Sequence, residues 1–225
     1  MMSKRKWVLY FSLLSIVLFF LLTTWAMTEY PGGTIHDRST EGYTFWHNYL
    51  SDLGRTRAWN RSSNTESSWL FNGGLALAGA SLILLFSVLP SFFDRQEAKG
   101  WATIAAVLGM LSALCYWGIA LNPLDVNYRL HTVFVRAGFI AFLLMSIFYT
   151  LAILREPGYP NRYAYGFLIF GVVLFVQICI MLFGPRAWTS PNALFLQASA
   201  QKIVVYAQML VLAYQCRGLL QRKVD

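Results

Sequence analysis

AYGFLIFGVVLFVQICIMLFG, from Ala164 to Gly184, contains no charged side chain. A bilayer core about 30 Å thick requires roughly 20 consecutive apolar residues of helix, and this stretch has that length. Charge-free apolar stretches of this length are typical of membrane spans rather than of soluble cores. The stretch therefore predicts a transmembrane helix.

Five further stretches have the same character. Three of them contain no charged residue, one contains only Arg136 and one contains only Lys202. The whole chain is 57% hydrophobic and 12% charged, whereas soluble domains average roughly 45–50% and 25%. We therefore predict an all-α polytopic membrane protein with six transmembrane helices, built as a single integral membrane domain over residues 1–225. The predicted spans are 7–27, 68–90, 101–121, 132–154, 164–184 and 194–216.

The distribution of lysine and arginine predicts the orientation, because cytoplasmic connections carry an excess of these residues. Placing both termini in the cytoplasm puts more bases on the inner side than on the outer side. We therefore predict an integral protein of the bacterial cytoplasmic membrane, with the net charge of +8 contacting anionic inner-leaflet lipid. Membrane lipids are the expected partners, no nucleic acid is expected, and the oligomeric state stays open. The inner bases are Lys4, Arg5, Lys6, Arg95, Lys99, Arg155, Arg162, Arg217, Arg222 and Lys223, and the outer ones are Arg38, Arg55, Arg57, Arg61, Arg129 and Arg186.

The first outer connection, 28–67, is much longer than the others, and long connections are often functional or partly structured. Its segment 45–54 predicts a short amphipathic helix on the outer membrane surface, closed by Gly54 in a left-handed conformation. The alternative is an ordinary interfacial helix whose polar face only meets water. The apolar face would hold Trp46, Tyr49, Leu50 and Leu53, and the polar face His47, Asn48, Ser51, Asp52 and Arg55.

Two bases lie within the predicted spans, Arg136 about 6 Å and Lys202 about 12 Å from the outer ends. An ionised base at depth costs about 2.5–3.5 kcal/mol unless it reaches water or a partner. The spans contain no acid, so the nearest counter-charges are Asp52 and Asp125 on the outer side. We therefore predict an outward-facing pocket in which these four charges meet. A structural ion-pair network that ties the long connection to the bundle is the alternative. Further pocket candidates are His47, Asn48, Ser51, Asn72, Arg129 and His131.

The sixth predicted span carries a stripe of glutamines, which fall within about 40° of one another on a helical wheel. Such amides form hydrogen bonds between membrane helices, and Gln177 in the fifth span is the candidate partner. A solute pathway would use similar residues, so both interpretations stand. The stripe consists of Gln197, Gln201, Gln208 and Gln215.

The stretch 48–54, Asn-Tyr-Leu-Ser-Asp-Leu-Gly, resembles the domain-of-unknown-function 998 family of six-helix membrane proteins. Further motifs are similar at 71–74, at 123–125 and at His131, and Gln201-Lys202 stands where the family often has an acid followed by arginine. A looser similarity to Sfk/DRAM-like membrane proteins points toward lipid-linked processes. Neither resemblance supplies an established reaction. The resemblance implies one site made of Ser51, Asp52, Asp125, His131 and Lys202.

Three functions fit these features. The first is binding or handling of a lipid head group or small anion by Arg136, Lys202 and Arg129, with no cofactor. The second is a membrane-embedded metal-dependent hydrolase with Ser51 orienting water. The third is a small-solute transporter that uses the glutamine stripe. The sequence favours the first and leans away from an enzyme. A metal ion, if bound, would be held by His47, Asp52, Asp125 and His131.

Overall fold

The computed structural model describes residues 3–222 and consists of helices joined by loops. Six of the helices are long and apolar enough to cross a membrane, which confirms the six predicted spans. Most of them extend beyond the predicted apolar stretches at one or both ends. Lys223, one of the predicted inner bases, lies outside the described residues. The helices are α1 (Lys4–Glu29), α2 (Leu50–Leu53), α3 (Thr65–Val88), α4 (Gln96–Leu121), α5 (Tyr128–Arg155), α6 (Arg162–Phe183) and α7 (Pro191–Gln221), with a short 3-10 helix (Leu89–Phe92) between α3 and α4.

Three of the long helices begin at a residue whose side chain accepts a backbone N–H. Ser3 accepts from Lys6 at 3.4 Å, Asn127 from Leu130 at 3.1 Å, and Ser190 from Ala193 at 3.1 Å. These side chains satisfy donors that the first turn of a helix leaves without partners. In α7 the cap is followed by a proline, whose fixed backbone angle suits the first helical position.

The six long helices form a ring. Each packs against the next along the chain, and α7 closes the ring by packing against α1. Large apolar side chains such as Val107, Ile169 and Leu210 lie exposed on the outward faces. Small residues let the helices approach closely; a Cβ at Gly138 of α5, for example, would lie 3.2 Å from Cys115 Cβ of α4.

The two ends of the ring differ. At one end, the Arg5 guanidinium near the start of α1 lies 5.9 Å from the Phe92 ring, and Arg222 after α7 binds Glu156 after α5. We call this the terminal end. The opposite end is covered by the connection between α1 and α3, residues 30–64, which we call the cap. The end that carries it is the loop end.

The cap is an ordered layer rather than a loose loop. Isolated antiparallel bridges pair Gly32 with Glu41 and Arg57 with Ser63. Its two halves are joined where Trp59 N donates to Tyr30 Oη at 3.2 Å. All four residues of α2 are buried, and Leu50 and Ser51 face the interior of the ring.

The prediction of an amphipathic surface helix over 45–54 is wrong both in the length of the helix and in its environment. Only Leu50–Leu53 is helical, because the Asp52 carboxylate accepts the Tyr49 N–H at 2.8 Å and Tyr49 itself is extended. All four residues of this short helix are buried: the Asp52 side chain binds other residues of the cap, and Ser51 faces the interior of the protein. Gly54 is right-handed, at φ −83°. Its lack of a side chain matters for space, since a Cβ there would lie 2.6 Å from Asn72 Oδ1.

Candidate functional site

Asp52 lies at the centre of the cap and is fully buried. Its Oδ2 accepts from Tyr49 N at 2.8 Å and Asn48 Nδ2 at 3.2 Å, and its Oδ1 accepts from Trp59 Nε1 at 3.0 Å. Burial raises the pKa of this carboxyl, and nearby Arg55 and the hydrogen bonds offset only part of the rise. The contacts of Asp52 therefore hold three parts of the cap together.

Lys202 of α7 fastens the cap to the ring. Its buried Nζ donates to the Asn48 carbonyl oxygen, which also accepts from Tyr43 Oη at 3.1 Å. The ammonium lies 5.4 Å from the Tyr43 ring and 5.2 Å from the Phe45 ring. Aromatic faces and a carbonyl stabilise this cation, and within residues 3–222 no carboxylate approaches it to ion-pair distance.

Asn48 joins segments within the cap, and Asp125 joins the α4–α5 connection to the cap. The Asn48 side chain accepts from Thr44 N and donates to Gly33 O, both at 2.9 Å. Asp125, between α4 and α5, accepts from Thr56 Oγ1 at 2.7 Å, Thr56 N at 3.0 Å and Arg57 N at 2.9 Å. Burial alone would raise the pKa of Asp125, but these hydrogen bonds outweigh it and the pKa is lowered.

The predicted meeting of Asp52 and Asp125 with Arg136 and Lys202 does not occur. Each carboxylate accepts hydrogen bonds from N–H or O–H donors of the cap, and neither forms an ion pair with Arg136 or Lys202. Among the described residues, every ion pair lies at the terminal end. The alternative, an ion-pair network between cap and bundle, is also replaced by hydrogen bonds to neutral groups.

Three other pocket candidates lie apart from one another. The His47 ring packs 5.9 Å from the Phe195 ring. Asn72 Nδ2 donates to Gly54 O and to Ser68 Oγ, each at 3.1 Å, and thereby joins α3 to α2. Arg129 is exposed at the start of α5.

The proposed metal ligands are also separate. In the described part of the chain, no three histidine, cysteine or acidic side chains are grouped to hold a metal ion. Asp52 and Asp125 serve different parts of the cap, and His131 Nδ1 lies 2.9 Å from Asn122 O. The four-ligand set of His47, Asp52, Asp125 and His131 is therefore not assembled.

A large cavity lies between α5, α6 and α7 at the loop end, beneath one side of the cap. Its volume is about 620 Å³, within the range of small-molecule sites. Arg55 of the cap, Arg136 of α5 and Arg186 of the α6–α7 connection all line it, and we call it the arginine cavity. Aromatic side chains that line it include Tyr49, Trp59, Tyr128, Phe139 and Trp188.

The charge in this cavity is of one sign. None of its lining residues is an aspartate or glutamate. Two arginines lie over tryptophan rings: Arg55 is 4.0 Å from the Trp59 ring centre and Arg186 is 5.4 Å from that of Trp188. Arg136 makes no hydrogen bond or ion pair with any residue between 3 and 222. The cavity therefore presents three cations to whatever enters it.

The inner wall of the arginine cavity is polar but uncharged. His131, Gln177 and Gln197 are nearly fully buried there. Gln197 Nε2 donates to Ile180 O at 2.8 Å and Pro185 O at 3.1 Å, whereas Gln177 Oε1 has no hydrogen-bond partner among the described residues. A buried amide oxygen without a donor is unfavourable by about 1–3 kcal/mol.

The glutamine stripe of α7 binds other parts of the protein. Gln201 Oε1 accepts from Leu50 N at 2.9 Å, Gln208 donates to Tyr116 Oη, and Gln215 Nε2 donates to Tyr163 O at 2.7 Å. None of them pairs with Gln177, the predicted partner. These contacts favour interhelical hydrogen bonding over a continuous solute pathway.

The structure thus brings together only some of the predicted residues. Those lining the arginine cavity are Ser51, His131, Arg136, Gln177, Gln197 and Gln201. Sequence reasoning missed Arg186, which it counts only as an outer base, and did not include Arg55 in the pocket although it places Arg55 on the polar face of the predicted helix. The signal for Arg186 was the short Arg-Ala-Trp stretch that precedes α7, an arginine beside a membrane-border tryptophan. His36 was also missed; its Nε2 lies 2.8 Å from Ala187 O and ties the cap to that connection.

Comparison with known proteins gives a family and no function. A family model described as "Protein of unknown function (DUF998)" matches residues 32–217. The match includes the cap, the arginine cavity and all but the first of the long helices. No curated protein and no solved structure matches the chain. The looser similarity to Sfk/DRAM-like proteins therefore gains no support.

Proposed function

We propose a function for this protein, which belongs to the DUF998 family of proteins of unknown function. It binds the anionic head group of a membrane lipid in the arginine cavity. One observation carries this proposal: Arg55, Arg136 and Arg186 line a single cavity that no carboxylate lines. Guanidinium groups bind phosphate and carboxylate through paired, charge-assisted hydrogen bonds. A cavity with three such groups and no acid favours an anion over a cation or a neutral solute.

The position of the cavity favours a lipid as the source of that anion. Tyr128, Leu182 and Trp188 are exposed lining residues, and tyrosine and tryptophan concentrate at the level of lipid head groups. Arg136 lies eight residues into α5, about 12 Å along the helix. A head group that enters at this level reaches arginine directly from the membrane surface.

The inner wall of the cavity is polar but uncharged, so it can surround the polar part of a head group without competing with the arginines for the anion. We place the loop end on the outer face of the membrane, so the ligand comes from the outer leaflet.

The test is native mass spectrometry of the protein purified in mild detergent, followed by identification of the bound lipids. The wild type should retain an anionic lipid, and the double variant Arg136→Gln/Arg186→Gln should lose it. Charged hydrogen bonds contribute about 1.5–3 kcal/mol each, so affinity should fall at least about tenfold for each arginine removed. Inorganic phosphate added to delipidated protein tests the other source, a free anion.

The matched control is Arg129→Gln. Arg129 is exposed near the start of the same helix but does not line the cavity, so its removal lowers the positive charge of the loop end without changing the cavity. The control should retain lipid as the wild type does. Equal retention by the double variant, or equal loss in the control, would contradict the proposal.

A further inference from the structure

A second cavity lies at the centre of the ring. Its walls come from α1, α3, α4, α5 and α7, and Leu50 and Ser51 of α2 close it at the loop end. Its volume is about 110 Å³. Most of the lining side chains are apolar, among them Phe19, Leu75 and Met209. We call it the central cavity.

The central cavity adjoins the arginine cavity. Four residues line both: Ser51 of α2, Val135 and Phe139 of α5, and Gln201 of α7. The two cavities are therefore neighbours, separated by no more than these side chains. One is cationic and lies at the loop end, and the other is apolar and extends along the ring. Together they have the polarity pattern of an amphiphile.

The dimensions of the central cavity suit one aliphatic chain. Along α7 its lining runs from Gln201 to Leu212, and eleven residues of helix span about 16 Å. That length is about half of a bilayer core of roughly 30 Å, the depth that one lipid chain occupies. The volume of about 110 Å³ counts only positions open to the centre of a water-sized sphere, so the cavity is wider than this volume alone suggests, and over this length it is a narrow channel that suits one chain.

We infer that the central cavity holds one aliphatic chain of the same amphiphile whose anionic head group occupies the arginine cavity. The inference rests on the proposed function and adds the ligand class: an anionic lipid with a chain withdrawn from the bilayer into the protein. The head group and the chain enter adjoining cavities, so one molecule occupies both and passes between Ser51 of α2 and Phe139 of α5.

Photo-crosslinking tests where the chain lies. The probe is lysophosphatidic acid with a diazirine at the middle of its acyl chain, added to the full-length protein in phosphatidylcholine nanodiscs. After irradiation, peptide mass spectrometry locates the carbon insertion. The wild type should show insertion at central-cavity residues such as Val205, Met209 and Leu212.

Two variants on adjacent walls block the cavity. Ser15→Leu adds bulk on α1 and removes a buried hydroxyl that has no partner within residues 3–222, so folding should be preserved. Ala78→Leu adds bulk on α3. Each should abolish insertion in the central cavity while the protein still retains the head group. Ser87→Leu is the matched control, because Ser87 is exposed on α3, away from the cavity.

The outcomes separate the inference from the proposed function. Retention of the probe with insertion confined to outward-facing residues such as Leu84, Ile169 and Leu210 would overturn the inference alone. Insertion by the matching monoacylglycerol probe, which lacks phosphate, at the level of the phosphate probe would also overturn it. Failure of the wild type to retain any anionic lipid would overturn both.

Discussion

Arginines at the two ends of the ring have opposite surroundings. At the terminal end, Arg222 binds the buried carboxylate of Glu156 at 2.7 Å and Asp94 at 3.4 Å, and Arg155 pairs with Glu97. At the loop end, Asp52 and Asp125 accept hydrogen bonds from the cap, and the arginines of the cavity have no carboxylate partner within residues 3–222. Carboxylates thus bind two arginines of the terminal end, whereas the loop end keeps three cations available for a ligand.

This difference shows why charge counts alone do not identify a site. Both ends carry bases and acids in the sequence, so either could have formed a network of ion pairs. What distinguishes them is the partner of each acid. Glu156 accepts from Asp94 N and Arg95 N and still binds Arg222, whereas Asp52 has all of its described hydrogen bonds within the cap.

The largest effect on stability is expected from Asp52→Ala. The change leaves Tyr49 N, Asn48 Nδ2 and Trp59 Nε1 without their acceptor, at about 1–3 kcal/mol each, so the free energy of unfolding should fall by about 4–6 kcal/mol. Thermal unfolding in detergent measures this loss. A fall below about 1 kcal/mol would show that Asp52 does not hold the cap together.

Glu156→Gln tests the terminal end. Arg222 would lose its closest counter-charge, which should reduce stability by about 3 kcal/mol at neutral pH. Burial raises the pKa of Glu156, but hydrogen bonds from Arg222, Asp94 N and Arg95 N outweigh it, and the pKa is lowered. The Glu156 carboxylate therefore stabilises the fold at pH values above the ordinary glutamate pKa, and this stabilisation is lost as the pH falls through the pKa of Glu156 in the folded protein.

The pH dependence provides the check on that variant. The difference in melting temperature between wild type and Glu156→Gln should have its largest value at pH 7 and should decrease below about pH 4. A difference that stays constant with pH would mean that the carboxylate charge does not stabilise this end.

Lys202→Met should have a smaller effect. The Asn48 carbonyl would keep the hydrogen bond from Tyr43, and methionine fits a buried space of similar length. We expect a loss of about 1 kcal/mol. Lipid retention should be unchanged, because Lys202 does not line the arginine cavity. Native mass spectrometry of this variant measures lipid retention. Loss of lipid with the fold intact would show that Lys202 takes part in binding.

The smallest effect on stability is expected from Arg136→Gln. Arg136 has no described partner in the protein, so unfolding in neutral detergent should change by less than about 0.5 kcal/mol. Glu97→Gln is the comparison at the other end, since it removes the partner of Arg155. A large loss of stability in Arg136→Gln would show that this arginine has a structural partner after all.

Sequence reasoning could predict the helices and part of the site. Long charge-free stretches specify membrane spans almost by themselves, so all six spans were found. The amides of α7 were identified as inward-facing because a polar stripe in lipid is unfavourable. Arg136 and His131 were assigned to a pocket because ionisable residues near a span end require surroundings other than lipid.

The partners of the charges could not be predicted, because they depend on how the cap folds. Asp52 is surrounded by donors from Asn48, Tyr49 and Trp59, which are brought together by the bridges and hydrogen bonds of residues 30–64. No periodic pattern marks these contacts. Arg186 was overlooked for the same reason, since only the packing of the α6–α7 connection beside α5 places it with Arg136.

The most direct test of the central claim is thermal stabilisation by an anionic lipid. The melting temperature is measured in neutral detergent with phosphatidylcholine, and again with added phosphatidic acid. A ligand at 100 times its dissociation constant stabilises a protein by about 2.7 kcal/mol, so the wild type and Arg129→Gln should melt at a higher temperature with phosphatidic acid. Arg136→Gln/Arg186→Gln should show no such rise. An equal rise in all three proteins would contradict the account, because the anionic lipid would then act elsewhere than at the arginine cavity.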